Sequence, residues 1–197
     1  MGIFRPTMSS GSSFFGICEI SIKKYTDKAD MYDWADLYLD IEVLQKGSEY
    51  SRNIKICGSF DKDKDGNITG GSVLRRMYVF FDSIGCKAGI NVKGEFEDEE
   101  GNKIENIADW LNSSWLNPQM SMESPDYLAY IYKEQPKKAG GKAYTRVYHK
   151  LYDNIEANRA KLQDDINWLK GKGVIKEYSE SSVTTDTQLE GNGLSNL

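Results

Sequence analysis

Apolar and polar positions along this chain follow two periods. Period two rules the first sixty residues. From Phe14 to Tyr25 it sets Cys18, Ile20 and Ile22 on one face. From Leu37 to Leu44 the alternation is clean, with Leu37, Leu39, Ile41 and Val43 inward and Tyr38, Asp40 and Glu42 outward. Lys46-Gly47-Ser48 is a turn, and Tyr50 to Phe60 returns with Ile54 and Ile56 inward. Side chains two apart in a strand share a face, so these segments predict three half-buried strands. Residues 26–36 are largely polar with two aromatics, Tyr32 and Trp34, and read as a loop.

The period then lengthens. Val73, Leu74, Met77, Phe80, Phe81 and Ile84 recur at helical spacing, with Ser72 as a cap and Gly85 as a stop. Residues 90–103 predict a short acidic hairpin turning at Glu100-Gly101-Asn102. Ile104 to Trp115 predicts a second helix with Ile107, Trp110 and Leu111 on one side. Residues 117–125 read as a loop. Tyr127–Lys133 and Tyr144–Lys150 then form the arms of a hairpin around Pro136–Lys142. Asn154 to Lys170 predicts a last helix, with Ile155, Leu162, Ile166 and Leu169 apolar.

This order gives a mainly β protein with helical insertions. Three strands, a helical insertion at about 72–116 and two more strands point to a five-stranded OB-type barrel plus a C-terminal helix. The expected layout is a flexible arm at 1–13, the barrel domain at 14–153, the helix at 154–175, and a polar, mildly acidic, disordered tail at 176–197.

Within the late hairpin, Tyr144, Arg146, Tyr148 and Lys150 fall on one face. Thr145, Val147 and His149 fall on the other. Rings alternating with cations suit a stacked, charged polymer, because flat faces take bases and cations take phosphates. Tyr130 and Tyr132 on the first arm extend the row. Lys137, Lys138 and Lys142 occupy the turn. Lys55, with Lys23, Trp34 and Tyr38 beyond it, could enlarge the groove. Each stacked base contributes about 1–3 kcal/mol, so two or three rings with phosphate contacts suffice.

The net charge of −5 argues mildly against a nucleic-acid binder, but its distribution does not. Residues 126–150 carry six cations against two acids, a net +4. Residues 91–110 carry seven acids against two lysines, a net −5. Positive charge gathers where the rings are.

Asp61, Asp63, Asp65, Gly66 and Asn67 follow the spacing of a calcium loop, but its twelfth position is Ser72 and not glutamate. Two readings stand: a weak Ca²⁺ or Mg²⁺ site on Asp61, Asp63, Asp65 and Asn67, or a solvated turn. Otherwise no cofactor is expected. Cys18, Cys57 and Cys86 are scattered and read as reduced thiols, and the sole histidine, His149, reads as packed in the core. No nucleophile elbow, Walker loop or HExxH is present, so no enzymatic activity is expected. No apolar run approaches the roughly 20 residues of a membrane span, and a cytoplasmic protein without membrane contact is expected.

Gly141-Lys142-Ala143-Tyr144-Thr145-Arg146-Val147 fits the pattern Gly-Lys-x-Tyr-x-x-Val, and Leu74-Arg75-Arg76-Met77 with Gly85 forms a helix before a loop. On these elements and their order, residues 14–152 resemble the single-stranded DNA-binding proteins of tailed phages. The end Gly193-Leu194-Ser195-Asn196-Leu197 departs from the acidic, aromatic-closed tail of the bacterial type. The resemblance implies non-catalytic, sequence-tolerant binding of single-stranded DNA in phage replication, recombination or repair. It also implies replication or recombination partners reached through the tail. The last helix could serve packing or homo-oligomer contacts. The rival expectation is a structural or adaptor module with a calcium-stabilised loop at 61–69.

Overall fold

In the computed structural model, which describes residues 14–116, 126–138 and 140–178, the alternating segments pair as read. β1 (Gly16–Asp27), β2 (Leu37–Gln45) and β3 (Ser51–Gly58) form an antiparallel meander. Leu39 lies opposite Ile56 and Ile41 opposite Ile54, so one face is continuously apolar and buried. The register of β1 shifts between Ile22 and Lys24. Such a bulge bends the strand and tightens its twist, and it leaves Lys23 exposed.

The insertion brings two short sheets and two helices. β4 (Asp61–Lys62) pairs with β5 (Ile68–Gly70). α1 (Ser72–Ser83) buries Val73, Met77, Phe80 and Phe81 and packs on β3. The acidic stretch is a three-stranded meander of β6 (Gly89–Ile90), β7 (Phe96–Glu97) and β8 (Lys103–Ile104). Ile104 therefore ends a strand. α2 (Ile107–Ser114) starts three residues later, where the Asn106 side chain accepts from the Asp109 N–H at 2.9 Å. The Asn112 amide clamps the Tyr25 backbone with two 2.9 Å hydrogen bonds, fixing α2 on β1 just past the bulge.

β9 (Tyr127–Glu134) pairs with β1, and β10 (Tyr144–Val147) pairs with β9, so the arms of the late hairpin do meet. β11 (Tyr152–Asp153) continues along the same edge of β9. Two more residues lie between Val147 and Tyr152 than between their partners Ile131 and Leu128. The chain bulges there. The strand order is β10-β9-β1-β2-β3, all antiparallel.

The expected closed barrel is not formed. β10 lies beside β3, but no ladder joins them. β10 is four residues long and runs into the bulge. At the far end of β3, the Cys57 carbonyl accepts from Arg76 and the Gly58 carbonyl from the Asp36 N–H. Among the described residues the architecture is a mainly β sheet with one open seam and three α-helices.

α3 (Glu156–Gly171) covers the opposite face of the sheet. Leu162, Ile166, Leu169 and Ile175 pack there with Leu128 and Tyr130. Ile155, read as part of its apolar face, sits at the N-cap and is exposed. Beyond α3 the chain returns to β9. The Gln135 N–H donates to the Lys176 carbonyl at 2.8 Å, and the Tyr178 N–H to the Lys133 carbonyl at 2.9 Å. The start of the expected tail is thus tied to the sheet. The arm at 1–13, the loop at 117–125 and the stretch 179–197 lie outside the described residues.

Because Ile166 is fully buried between α3 and β9, Ile166→Ala is expected to cost about 2–4 kcal/mol in urea unfolding. A loss below about 0.5 kcal/mol shows that α3 does not rest on the sheet.

Candidate nucleic-acid interface

The hairpin face carries its rings where the alternation puts them, but α3 covers much of it. Tyr130 is 6% exposed; its hydroxyl donates to Glu177 and accepts from the Lys170 ammonium at 2.7 Å. Its ring stacks on Tyr132 at 5.9 Å between centroids. Tyr132 and Tyr148 are half-buried against the α3 cluster. Burial pushes the Tyr132 phenol up to about 12 and raises that of Tyr148. Lys150 is ion-paired with Asp165, which also accepts from Tyr152. Arg146 pairs with Glu134 across the ladder at 2.8 Å.

What remains open on this face is its turn end. Tyr144 is 57% exposed, and the Lys142 ammonium lies 6.0 Å from its ring centroid. Lys137 and Lys138 are exposed, and among the described residues none of these three lysines has an ion pair.

A second aromatic surface lies on the outer face of β2 and β3. Tyr38 and Asp40 point outward, yet both are buried. The β1–β2 loop folds over them. Tyr32 stacks on Tyr38 with centroids 4.8 Å apart and planes 24° apart, and Trp34 tilts against both rings at 5.7 and 6.2 Å. Trp34 itself is 57% exposed.

Both ends of this loop are pinned. At its start the Lys28 ammonium pairs with Asp40, whose other oxygen accepts from Asn53 Nδ2 at 2.6 Å. The bond to Asp40 raises the Lys28 pKa. At its end Asp36 pairs with Lys62 at 2.6 Å and accepts from the Phe60 N–H at 2.8 Å, which together hold its carboxyl below the usual range. The loop is thus held in place at both ends. Lys55, opposite Asp40 on β3, is exposed beside it and has no ion pair among the described residues.

The alternation offers Trp34, Tyr38 and Lys55 as extensions of the groove and leaves Tyr32 as a loop aromatic. Their stack depends on how the loop folds across β2, which no alternation encodes.

The aspartate loop is a hairpin turn that bonds to itself. One Asp63 oxygen accepts from the Asp65 and Asn67 N–H groups at 2.9 and 2.8 Å, and the other from Asn67 Nδ2 at 3.1 Å. Gly66 takes φ 82°, as the turn needs. The same five-residue turn recurs at Asn91–Glu95 and Asp98–Asn102, with Gly94 at φ 90° and Gly101 at φ 83°. Among the described residues no group of three or more His, Cys, Asp or Glu side chains is placed to hold a metal. Since hydrogen bonds within the turn occupy Asp63, neither millimolar calcium nor EDTA is expected to move the melting temperature. A calcium-dependent rise assigns the loop a metal.

Burial, with Arg76 adding repulsion, pushes the His149 imidazole down to about 4 from an ordinary 6.5. It is neutral in the fold and gains a proton on unfolding between those values. Stability therefore falls as pH drops from about 6.5 to about 4, and this contribution to the loss is complete below that. His149→Gln is expected to flatten the melting curve across that window relative to the parent. Parallel curves would count against the buried, neutral imidazole.

Burial pushes the Cys18 and Cys86 thiols up to about 11, which keeps both protonated and unreactive. Among the described residues no helix is long and apolar enough to cross a membrane. No protein-family model matches the chain, and neither a curated protein nor a solved structure matches it.

Proposed function

We propose that this protein binds single-stranded DNA without sequence preference and without catalysis, in phage replication, recombination or repair. The observation that carries this reading is the Tyr32–Trp34–Tyr38 stack beside Lys55 on the outer face of β2 and β3. Every base has a π-face, so an exposed indole backed by two rings can stack on any of them. Unpaired lysines nearby supply the phosphate contacts.

The strand order supports an OB-type reading. A five-stranded Greek-key barrel of that class is partly open, and its ligands lie on strands two and three between the first and last loops. Here those strands are β2 and β3. The first loop carries Tyr32 and Trp34, and the last carries Lys137, Lys138 and Lys142. The binding surface is thus the β2–β3 face and the turn end of the late hairpin. The tyrosines under α3 serve to dock that helix. Replication or recombination proteins are the partners we propose for the tail.

Binding to fluorescent oligo-dT is expected to weaken steeply with salt. Trp34→Ala and Tyr144→Ala should each reduce affinity about tenfold or more. Trp168→Ala, on the far side of α3, should not. Affinity that ignores salt, or Trp34→Ala binding like the parent, overturns the reading.

A further inference from the structure

At the end of the open seam three residues converge that neither surface includes. Phe15 precedes β1 and is 38% exposed. The Arg52 guanidinium from β3 lies 5.8 Å from its ring centroid, and the Lys133 ammonium from β9 lies 5.6 Å from it. Two cations share one ring. Among the described residues neither cation has an ion pair.

The guanidinium is aimed. Gln45 is 2% exposed, and its Oε1 accepts from Arg52 Nε at 3.2 Å while its Nε2 donates to Cys18 Sγ at 3.2 Å. A buried amide must be satisfied. This one is satisfied by gripping the inner nitrogen of Arg52, which leaves the terminal fork for another acceptor. A guanidinium fork matches two oxygens of a phosphate.

The location matters as much as the chemistry. β3 and β10 run in the same direction, since four antiparallel pairings separate them in the sheet order. Their first residues, Ser51 and Tyr144, are therefore at the same end. Lys133 lies opposite Thr145, next to Tyr144. Arg52 is on the inward row of β3 with Ile54 and Ile56, at the mouth of the sheet. Lys55 is on the outward row three residues further on, so a strand of nucleic acid would pass over the free edge of β3 to reach the Tyr38 stack. The ring and its two cations sit between the two surfaces.

We infer that Phe15, Arg52 and Lys133 form a nucleotide subsite that takes a phosphate and its neighbouring base from a single strand, joining the hairpin turn to the β2–β3 face as one track. This rests on the single-strand reading above. Arg52 and Lys133 hold the phosphate, and Phe15 gives the base a flat face at the mouth of the sheet.

The test is titration of oligo-dT of graded length against the full chain and the variants Arg52→Gln, Lys133→Gln and Phe15→Leu, each with its melting temperature recorded. Phe15→Leu keeps the apolar plug but removes the π-face. Each lost cation should lower the slope of log affinity against log salt by about 0.7. Phe15→Leu should weaken binding about fivefold or more. The length at which affinity stops rising should shorten in all three. Unchanged slope, affinity and length dependence in Lys133→Gln and Phe15→Leu, while Trp34→Ala still weakens binding, overturns the subsite and leaves the β2–β3 surface standing. No binding by the parent chain overturns both.

Discussion

β9 is buried on both of its faces, and much of the molecule is arranged around that constraint. Ala129 and Ile131 point into the core shared with α1 and α2, while Leu128 and Tyr130 point into the core under α3. Its edges are occupied too, by β1 on one side and by β10 and β11 on the other. Where β1 runs out, residues 176–178 take over that edge. Over residues 128–131 a strand so enclosed has no solvent face, and only its end at Lys133 reaches water. α3 is needed because Leu128 and Tyr130 cannot face water cheaply, and the returning chain keeps α3 in place.

The same constraint decides which aromatics reach the surface. Tyrosines under a helix that buries Leu162, Ile166 and Leu169 are structural, whatever their spacing suggests. The outer face of β2 meets the opposite arrangement. It buries Asp40, a charge that would be costly alone, and the Lys28 ammonium and Asn53 amide offset that cost. The result is a loop fixed at both ends with an exposed indole at its crest. Pre-ordering of this kind removes part of the entropy that binding must otherwise overcome.

The three strands of the meander, α1 and the late hairpin were legible because alternation and helical period survive burial on one face. The covering of the hairpin was not read, though its signal was present. Tyr127-Leu128-Ala129-Tyr130-Ile131-Tyr132 has no polar position, and a strand buried on both faces reads as such a continuous run. Lys150 keeps the face that the alternation gives it, even past the bulge after Tyr148, but Asp165 of α3 takes its ammonium, and nothing in the local sequence announces that partner. The calcium-like spacing at Asp61–Asn67 belongs to a turn that recurs three times among the described residues. One oxygen-bearing side chain, two residues and a glycine are what that turn needs from sequence, and an EF-hand loop begins with similar ingredients. Closure of the barrel depends on the length of β10, which the tyrosine–cation alternation overstated.

Net charge misleads here because the acids and the cations have different tasks. Asp165 and Glu177 lie close to the hairpin face, but they are spent on Lys150 and Lys170. Glu134 is spent on Arg146. The acidic meander from β6 to β8 belongs to the insertion between β3 and β9. Those pairings neutralise the cations that α3 covers and leave Lys55, Lys133, Lys137, Lys138 and Lys142 without a carboxylate partner among the described residues. A polyanion responds to local potential within about a Debye length, roughly 8–10 Å in physiological salt, and not to the sum over the chain. An acidic protein can therefore hold a phosphate backbone, provided its unpaired cations lie along one path and its acids lie off it.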